Sequence, residues 1–248
     1  MLQKHFCPLA LFVSLLLATV SIAQEAVLDT PPRTKPNSAI VPIPRGAKQM
    51  QRHESFNKRI KEGNVDLLMI GDSITHGWER AGSEVWLKYY GHRNAVNLGI
   101  GGDRTQHVLW RLENGNIDNI SPKLAVLMIG TNNCRSNTPE EIAEGVDVIV
   151  TKLRTELPQM KVLVLAIFPR GEDDTHPGRQ VNMKANELIE KQADGEMVHF
   201  LNINSAFLTE DRILTREVMP DLLHPREKGY GIWAEAMEPT IVKLMGEP

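Results

Sequence analysis

Three side chains in this 248-residue sequence have the chemistry for nucleophilic catalysis. One is the hydroxyl of Ser73, in the stretch "LLMIGDSITHGW". The others are Asp221 and His224, three apart in "PDLLHPREKGYG". A serine hydroxyl is a poor nucleophile until a neighbouring base takes its proton. An imidazole does this through one ring nitrogen, while a carboxylate on the other nitrogen orients the ring and stabilises the cation that forms. Attack on a carbonyl also creates an oxyanion, which needs donors fixed in advance. The glycine-rich "NLGIGGDRT" (97–105) and the asparagines of "IGTNN" (129–133) are candidates for that task. Each feature alone has a plainer reading: Ser73 caps a helix, Asp221 and His224 shape a turn, and the asparagines do the same. Their company is what argues for catalysis.

These residues are 151 positions apart from Ser73 to His224, so the fold must bring them together. Short apolar runs recur along the chain: "VDLLMI" (65–70), "NAVNLGI" (94–100), "LAVLMIG" (124–130), "KVLVLAIF" (161–168) and "VHFLNI" (198–203). None alternates with polar residues, as expected of strands covered on both faces. Amphipathic segments lie between them. In "TPEEIAEGVDVIVTKLRTEL", Thr138 suits a helix cap, Pro139 the first helical position and Glu141 a capping box. Ile142, Val146, Ile149, Leu153 and Leu157 then share one face. In "PREKGYGIWAEAMEPTIVKL", Trp233, Met237, Ile241 and Leu244 share another, and Pro239 is expected to kink or split that helix. Strands alternating with helices predict a parallel sheet between helical layers. Functional crevices in such folds lie at the carboxyl ends of the strands. Ser73, the glycine-rich turn and the asparagines all follow strand ends, and so does Arg170.

Other chemically capable residues have structural readings. Asp72 fixes the turn through backbone hydrogen bonds, and Asp103 and Arg104 support the site from behind. Cys134 is a small, half-buried residue. Trp110 packs into the core. His176 lies near Asp173 and Asp174, but without a ligand spacing such as H-E-x-x-H it reads as a surface loop. No metal site is expected.

The first 23 residues have the layout of a secretory signal peptide: Lys4, an apolar run to about Val20, and the small-x-small exit Ser21-Ile22-Ala23. The run is short for a membrane span, so no stable membrane anchor is expected, and the protein should be secreted or periplasmic. Residues 24–47 are proline-rich and read as an extended leader, leaving one domain at 48–248. The formal charge is −3; loss of Lys4, with no acid lost, makes it −4. Such a balance gives no basic surface for nucleic acid. Cleavage would remove Cys7 and leave Cys134 without a disulfide partner.

Taken together, the blocks resemble the SGNH (GDSL-type) hydrolases. "GDSITHGW" matches the serine block, with Ile74 in place of the usual Leu. "NLGIGGDRTQHVLWRLENGNI" matches the glycine block, "IGTNN" the asparagine block and "DLLHP" the Asp-x-x-His block. The likeness covers about residues 54–245, and the glycine block and spacing look most like the catalytic subunits of intracellular platelet-activating-factor acetylhydrolase. The resemblance implies a flavodoxin-like three-layer α/β/α sandwich with a five-stranded parallel sheet. It implies a Ser73–His224–Asp221 triad and an oxyanion hole from the backbone N–H groups of Ser73 and Gly102 and the side chain of Asn132. It places Ile74, Thr131 and Leu223 around a short acyl group such as acetyl, with no cofactor. Dimerisation is a family expectation. Because those subunits are cytosolic and this chain carries an export signal, their phospholipid substrate does not carry over. Acetylated carbohydrates are an equal expectation for the ester substrate, and lysophospholipids or thioesters are alternatives. A non-catalytic binder on the same fold, for instance of flavin, would want a Ser/Thr/Gly-rich phosphate loop after the first strand, and "GDSITHGW" is a poor one.

Overall fold

The structure is a computed structural model that describes Met1, Leu2 and residues 35–248. Apart from its first two residues, the expected signal peptide (1–23) lies outside the described residues, as do residues 24–34 of the expected leader. The chain forms two compact units, Met1–Pro36 and Asn37–Pro248; the second carries all the features described below.

Its strands are β1 (Leu67–Gly71), β2 (Ala95–Gly99), β3 (Leu124–Met128), β4 (Lys161–Leu165) and β5 (Val198–Leu201). All are parallel, in the order β2-β1-β3-β4-β5. This is the flavodoxin-like order, whose switch point lies between the first and third strands. Each apolar run of the sequence is a strand, and β1 and β3 are buried at every residue.

The helices are α1 (Ala47–Lys61), the one-turn α2 (Ser73–His76), α3 (Ser83–Tyr90), α4 (Thr105–Leu112), α5 (Pro139–Glu156), α6 (Pro177–Ile189) and α7 (Glu227–Met245). Alternation along the strands divides them between two cores. Leu68, Ile70, Leu127 and Val164 face α1, α4, α5 and α6. Leu67, Met69, Val126 and Leu165 face α3 and α7, where Trp78, Tyr90, Tyr230 and Trp233 pack ring against ring. Full burial of such aliphatic side chains stabilises by about 1.5–3 kcal/mol each, so the sheet is held from both sides.

α5 starts as the sequence predicts: Thr138 Oγ1 accepts the Glu141 N–H at 3.3 Å, and the Glu141 carboxylate accepts the Thr138 N–H at 3.1 Å. Pro239 does not split α7, which runs unbroken from Glu227 to Met245. Buried residues on both sides of the proline, Met237, Ile241 and Leu244, hold both halves to the sheet and offset the missing N–H, which in a helix interior costs about 3 kcal/mol.

The leader was expected to run to residue 47, yet residues 37–46 belong to the folded unit. Asn37 Oδ1 accepts the Ala39 N–H at 2.8 Å and its Nδ2 donates to the Glu141 carbonyl at 3.0 Å. Thr105 Oγ1 donates to the carbonyl of the fully buried Ala39 at 2.8 Å. The partners lie far along the chain, on α4 and α5, and leave no trace in local composition.

Candidate active site

Ser73 opens α2 directly after β1. Asp72, fully buried, caps that helix, its Oδ1 accepting the Ile74 N–H at 2.9 Å. A Cβ on Gly71 would collide with Thr75 Oγ1 and the Met128 carbonyl, and one on Gly99 with the His76 backbone. These two glycines let α2 lie directly on the ends of β1 and β2. The Ser73 hydroxyl is therefore held at the carboxyl edge of the sheet.

His224 and Asp221 come from the loop before α7. His224 Nε2 lies 2.8 Å from Ser73 Oγ, and His224 Nδ1 lies 2.6 Å from Asp221 Oδ2. The other carboxylate oxygen accepts the N–H groups of Leu223 (3.1 Å) and His224 (2.7 Å). Partial burial works against charge on Asp221, but the bonds from the His224 ring and backbone outweigh it and hold the carboxyl below its ordinary range. Pairing with a carboxylate puts the ring proton on Nδ1 and leaves Nε2 to accept from the serine. Leu222 sits in the left-handed region at φ 57°, disfavoured for a side chain of this kind by about 1–2 kcal/mol. Two backbone bonds hold it there: its N–H donates to Met219 (2.8 Å) and its carbonyl accepts from Gly171 (2.9 Å).

The residues expected around an oxyanion are also at this edge. Gly102, at φ 79°, turns the chain after β2, a conformation open to a residue without Cβ. Neither its N–H nor that of Ser73 donates to another backbone carbonyl among the described residues. Asn132 follows β3; its Nδ2 donates to the Asp103 carbonyl at 2.9 Å and has only a long 3.4 Å contact with Asp72 Oδ2. Asn133 differs. It is fully buried, its Oδ1 accepts the Thr105 N–H at 3.1 Å, and its amide donates toward Thr105, Gln106 and Asn137. It fastens the loop to α4 and has no free face.

Two cavities meet at these loops, since neighbouring residues open into different ones. Ser73, Gly101, Asp221 and His224 line a cleft of about 560 Å³. Gly102, Thr131, Asn132 and Leu223 line a second cavity of about 460 Å³. Ile74, expected beside Thr131 and Leu223, lines neither and is 1% exposed, in the core under α7. The second residue of α2 points inward, and Tyr230 Oη donates to its carbonyl at 2.7 Å.

Burial pushes Asp72 up to about 7; the Ile74 bond opposes the shift and the nearby Asp103 charge adds to it. Asp103 is itself buried and paired with Arg111 Nε at 2.9 Å, which accounts for its supporting position. Cys134 is half-buried, with Arg170 Nη1 at 3.2 Å from its Sγ. Trp110 lies on the half-buried rim against the His53 ring, 5.0 Å between centroids. His176 caps α6 through the Arg179 N–H, and Asp174 pairs with Arg179 and Arg212. Among the described residues no three His, Cys, Asp or Glu side chains gather as metal ligands would. Sequence reasoning overlooked Arg45, whose Nη1 donates to the Gly102 carbonyl at 3.2 Å, because it falls in the proline-rich stretch. It also passed over Tyr230, which only the fold connects to α2.

A doubly wound sheet with a hydrogen-bonded Ser-His-Asp row at its carboxyl edge defines a serine hydrolase. Residues 69–232 match the GDSL-like Lipase/Acylhydrolase family. Platelet-activating factor acetylhydrolase IB subunit alpha2 of Rattus norvegicus is 38% identical over 202 residues, covering 80% of this chain and 85% of that one. A putative acylhydrolase from Bacteroides fragilis superposes with TM-score 0.66 at 18% identity, covering 81% of this chain and 99% of its own. A carbohydrate acetylesterase family member from Sinorhizobium meliloti gives TM-score 0.58 at 16% identity, covering 73% and 99%. The chain belongs to the GDSL-like lipase/acylhydrolase family and is a carboxylic ester hydrolase.

Proposed function

We propose that this chain is an exported esterase that hydrolyses short-chain esters, acetyl esters first among them, through an acyl-Ser73 intermediate. The observation that carries the reading is the continuous row Ser73–His224–Asp221, at 2.8 and 2.6 Å. Ser73 Oγ adds to the carbonyl carbon as its proton passes to His224 Nε2, and Asp221 stabilises the imidazolium. The oxyanion takes hydrogen bonds from the N–H groups of Ser73 and Gly102 and the Asn132 amide; one such donor is typically worth about 3–4 kcal/mol. Collapse expels the alkoxide, which takes the proton from His224. Water then attacks the acyl-serine, giving its proton to His224, which returns it to Ser73 as the carboxylic acid leaves.

Because His224 must reach the leaving oxygen, the alcohol lies in the cleft shared by Ser73 and His224. The acyl group then extends toward Thr131 and Leu223. The acetyl preference draws support from the rat relative, whose name is that of an acetylhydrolase. Export draws support from the apolar run closed by Ser21-Ile22-Ala23. The alcohol would belong to a small molecule or a carbohydrate.

An active-site phosphonate should label Ser73 once per folded chain, and activity on a series from acetyl to dodecanoyl esters should be highest at the short end. Folded protein that takes up no phosphonate would overturn the mechanism; a maximum at long chains would overturn the acyl assignment in favour of a lipid or thioester substrate. Processing is checked by the mature N-terminus, expected at Gln24.

A further inference from the structure

The acyl-side cavity is cationic. Besides Gly102, Thr131, Asn132 and Leu223 its walls include Arg45, Arg104, Arg135 and Arg170, and no acidic side chain lines it. That is out of keeping with a chain whose acids outnumber its bases. Two of the guanidinium groups are anchored against the residues that bound the acyl site. Arg45 Nη1 donates to the Gly102 carbonyl at 3.2 Å, and Arg170 Nη1 donates to the Thr131 carbonyl at 2.9 Å. The charge is weakly compensated. Arg45 has one distant ion pair, 3.8 Å to the buried Asp103, which is itself engaged by Arg111. Arg104, Arg135 and Arg170 make no ion pair with any described residue. Arg170 Nε is buried without a hydrogen-bond partner. His107 lines the same cavity; burial, then the charges of Arg45, Arg104 and Arg111, push it down to about 4, so it adds no positive charge of its own near neutrality.

Four like charges around one cavity repel one another, a standing cost unless something negative is bound there. A guanidinium is the side chain best suited to hold a carboxylate through two parallel hydrogen bonds. An acetyl group would present no charge and would leave most of a cavity of about 460 Å³ unfilled.

We propose that the acyl-side cavity selects short acyl groups that end in a carboxylate, so that the preferred substrates are hemi-esters of small dicarboxylic acids. This rests on the esterase reading above and, within its short acyl groups, ranks those ending in a carboxylate ahead of acetyl. The reaction is unchanged in balance: the hemi-ester and water give the free diacid and the alcohol, with the terminal carboxylate a spectator held by guanidinium groups while the ester carbonyl meets Ser73.

The test compares ethanol release from monoethyl succinate and from ethyl butyrate, which have equal acyl carbon counts. The expected result is a kcat/KM about tenfold or more in favour of the hemi-ester, the scale of one charge-assisted hydrogen bond. That ratio should fall at least about fivefold in an Arg104→Gln/Arg135→Gln variant. In the unaltered protein it should also fall at high ionic strength, because Arg104 is half-buried and Arg135 exposed, so both charges are open to screening. Both esters turned over with a ratio at or below one would overturn the inference and leave the esterase reading standing. A ratio unmoved by the double substitution would overturn the assignment to these arginines. A charge preference seen only on the alcohol side, as O-acetyllactate over propyl acetate, would overturn it by placing the acid in the other cavity. Hydrolysis of neither ester, nor of ethyl acetate, by folded protein would overturn the esterase reading and this inference with it.

Discussion

Ser73, His224 and Asp221 act as one unit, and the consequences of breaking it differ by atom. Ser73→Ala removes the nucleophile and leaves the fold untouched, because the cap of α2 is Asp72 and not the serine. Ester turnover should fall by at least about 10³-fold while the thermal transition stays in place. Asp221→Asn is more informative. An amide there can donate to Nδ1, which would shift the ring proton to Nε2 and turn the base toward Ser73 into a donor. Activity should drop by about 10⁴-fold, as in the corresponding change in the trypsin-type triad. Steady-state kinetics beside a melting curve separates this loss from unfolding; a variant with near-normal kcat would remove Asp221 from the mechanism. Asn132 and Asn133 show how far neighbouring identical residues diverge. The first keeps an amide hydrogen with only a 3.4 Å contact, and the second has its amide engaged by Thr105 and Gln106 of α4 and by Asn137 before α5.

The elements that carry these residues depend on one buried ion pair. Asp103, in the turn after β2, lends its carbonyl to Asn132 and its carboxylate to Arg111 on α4, which also donates to Asn116 at 2.7 Å. Asp103→Asn strands a buried guanidinium and should cost about 3–5 kcal/mol in denaturant unfolding. Asp103→Asn/Arg111→Met removes both charges and should recover a good part of that loss; a double variant no more stable than the single would refute the charge argument. This pair was not legible beyond its residue types, since Asp103 and Arg111 occur among many charged neighbours and only burial singles them out. The strands were legible because β1 and β3 are buried at every residue and β2 and β4 at all but their first, which keeps the runs mainly apolar, with Asn97 of β2 the buried polar exception. α5 was legible through Thr138, Pro139 and Glu141, whose effect is local. Ser73, Asp221 and His224 could be read because short blocks hold them. Arg45 could not, because its partner Gly102 lies 57 residues away and the prolines around it suggest a loose leader. Ile74 misled for a related reason: being next to Ser73 in the chain says nothing about which way a one-turn helix points it.

At the scale of the whole molecule, two buried groups near the site pull stability in opposite directions as pH changes. His107 is held down to about 4 by burial and by Arg45, Arg104 and Arg111. Its folded value lies below the ordinary 6.5, so the unfolded chain binds the proton more readily between those limits. Its contribution is present above about 6.5 and is lost as pH falls toward 4. Asp72 is the reverse case. Burial raises it to about 7 from the ordinary carboxylate range near 4, so its contribution is full in acid and is lost as pH rises through 7. The two slopes oppose each other across the interval they share, so these two contributions largely cancel there. Single substitutions should separate them. His107→Asn keeps an acceptor for the Arg104 N–H, which the ring Nδ1 now takes at 3.0 Å, and removes the titration. Urea unfolding at pH 5 and pH 7 should then show less loss on acidification than in the unaltered protein. Asp72→Asn keeps the cap on Ile74 and should show more loss. Identical pH 5 to pH 7 differences in all three proteins would mean that neither buried group is coupled to folding.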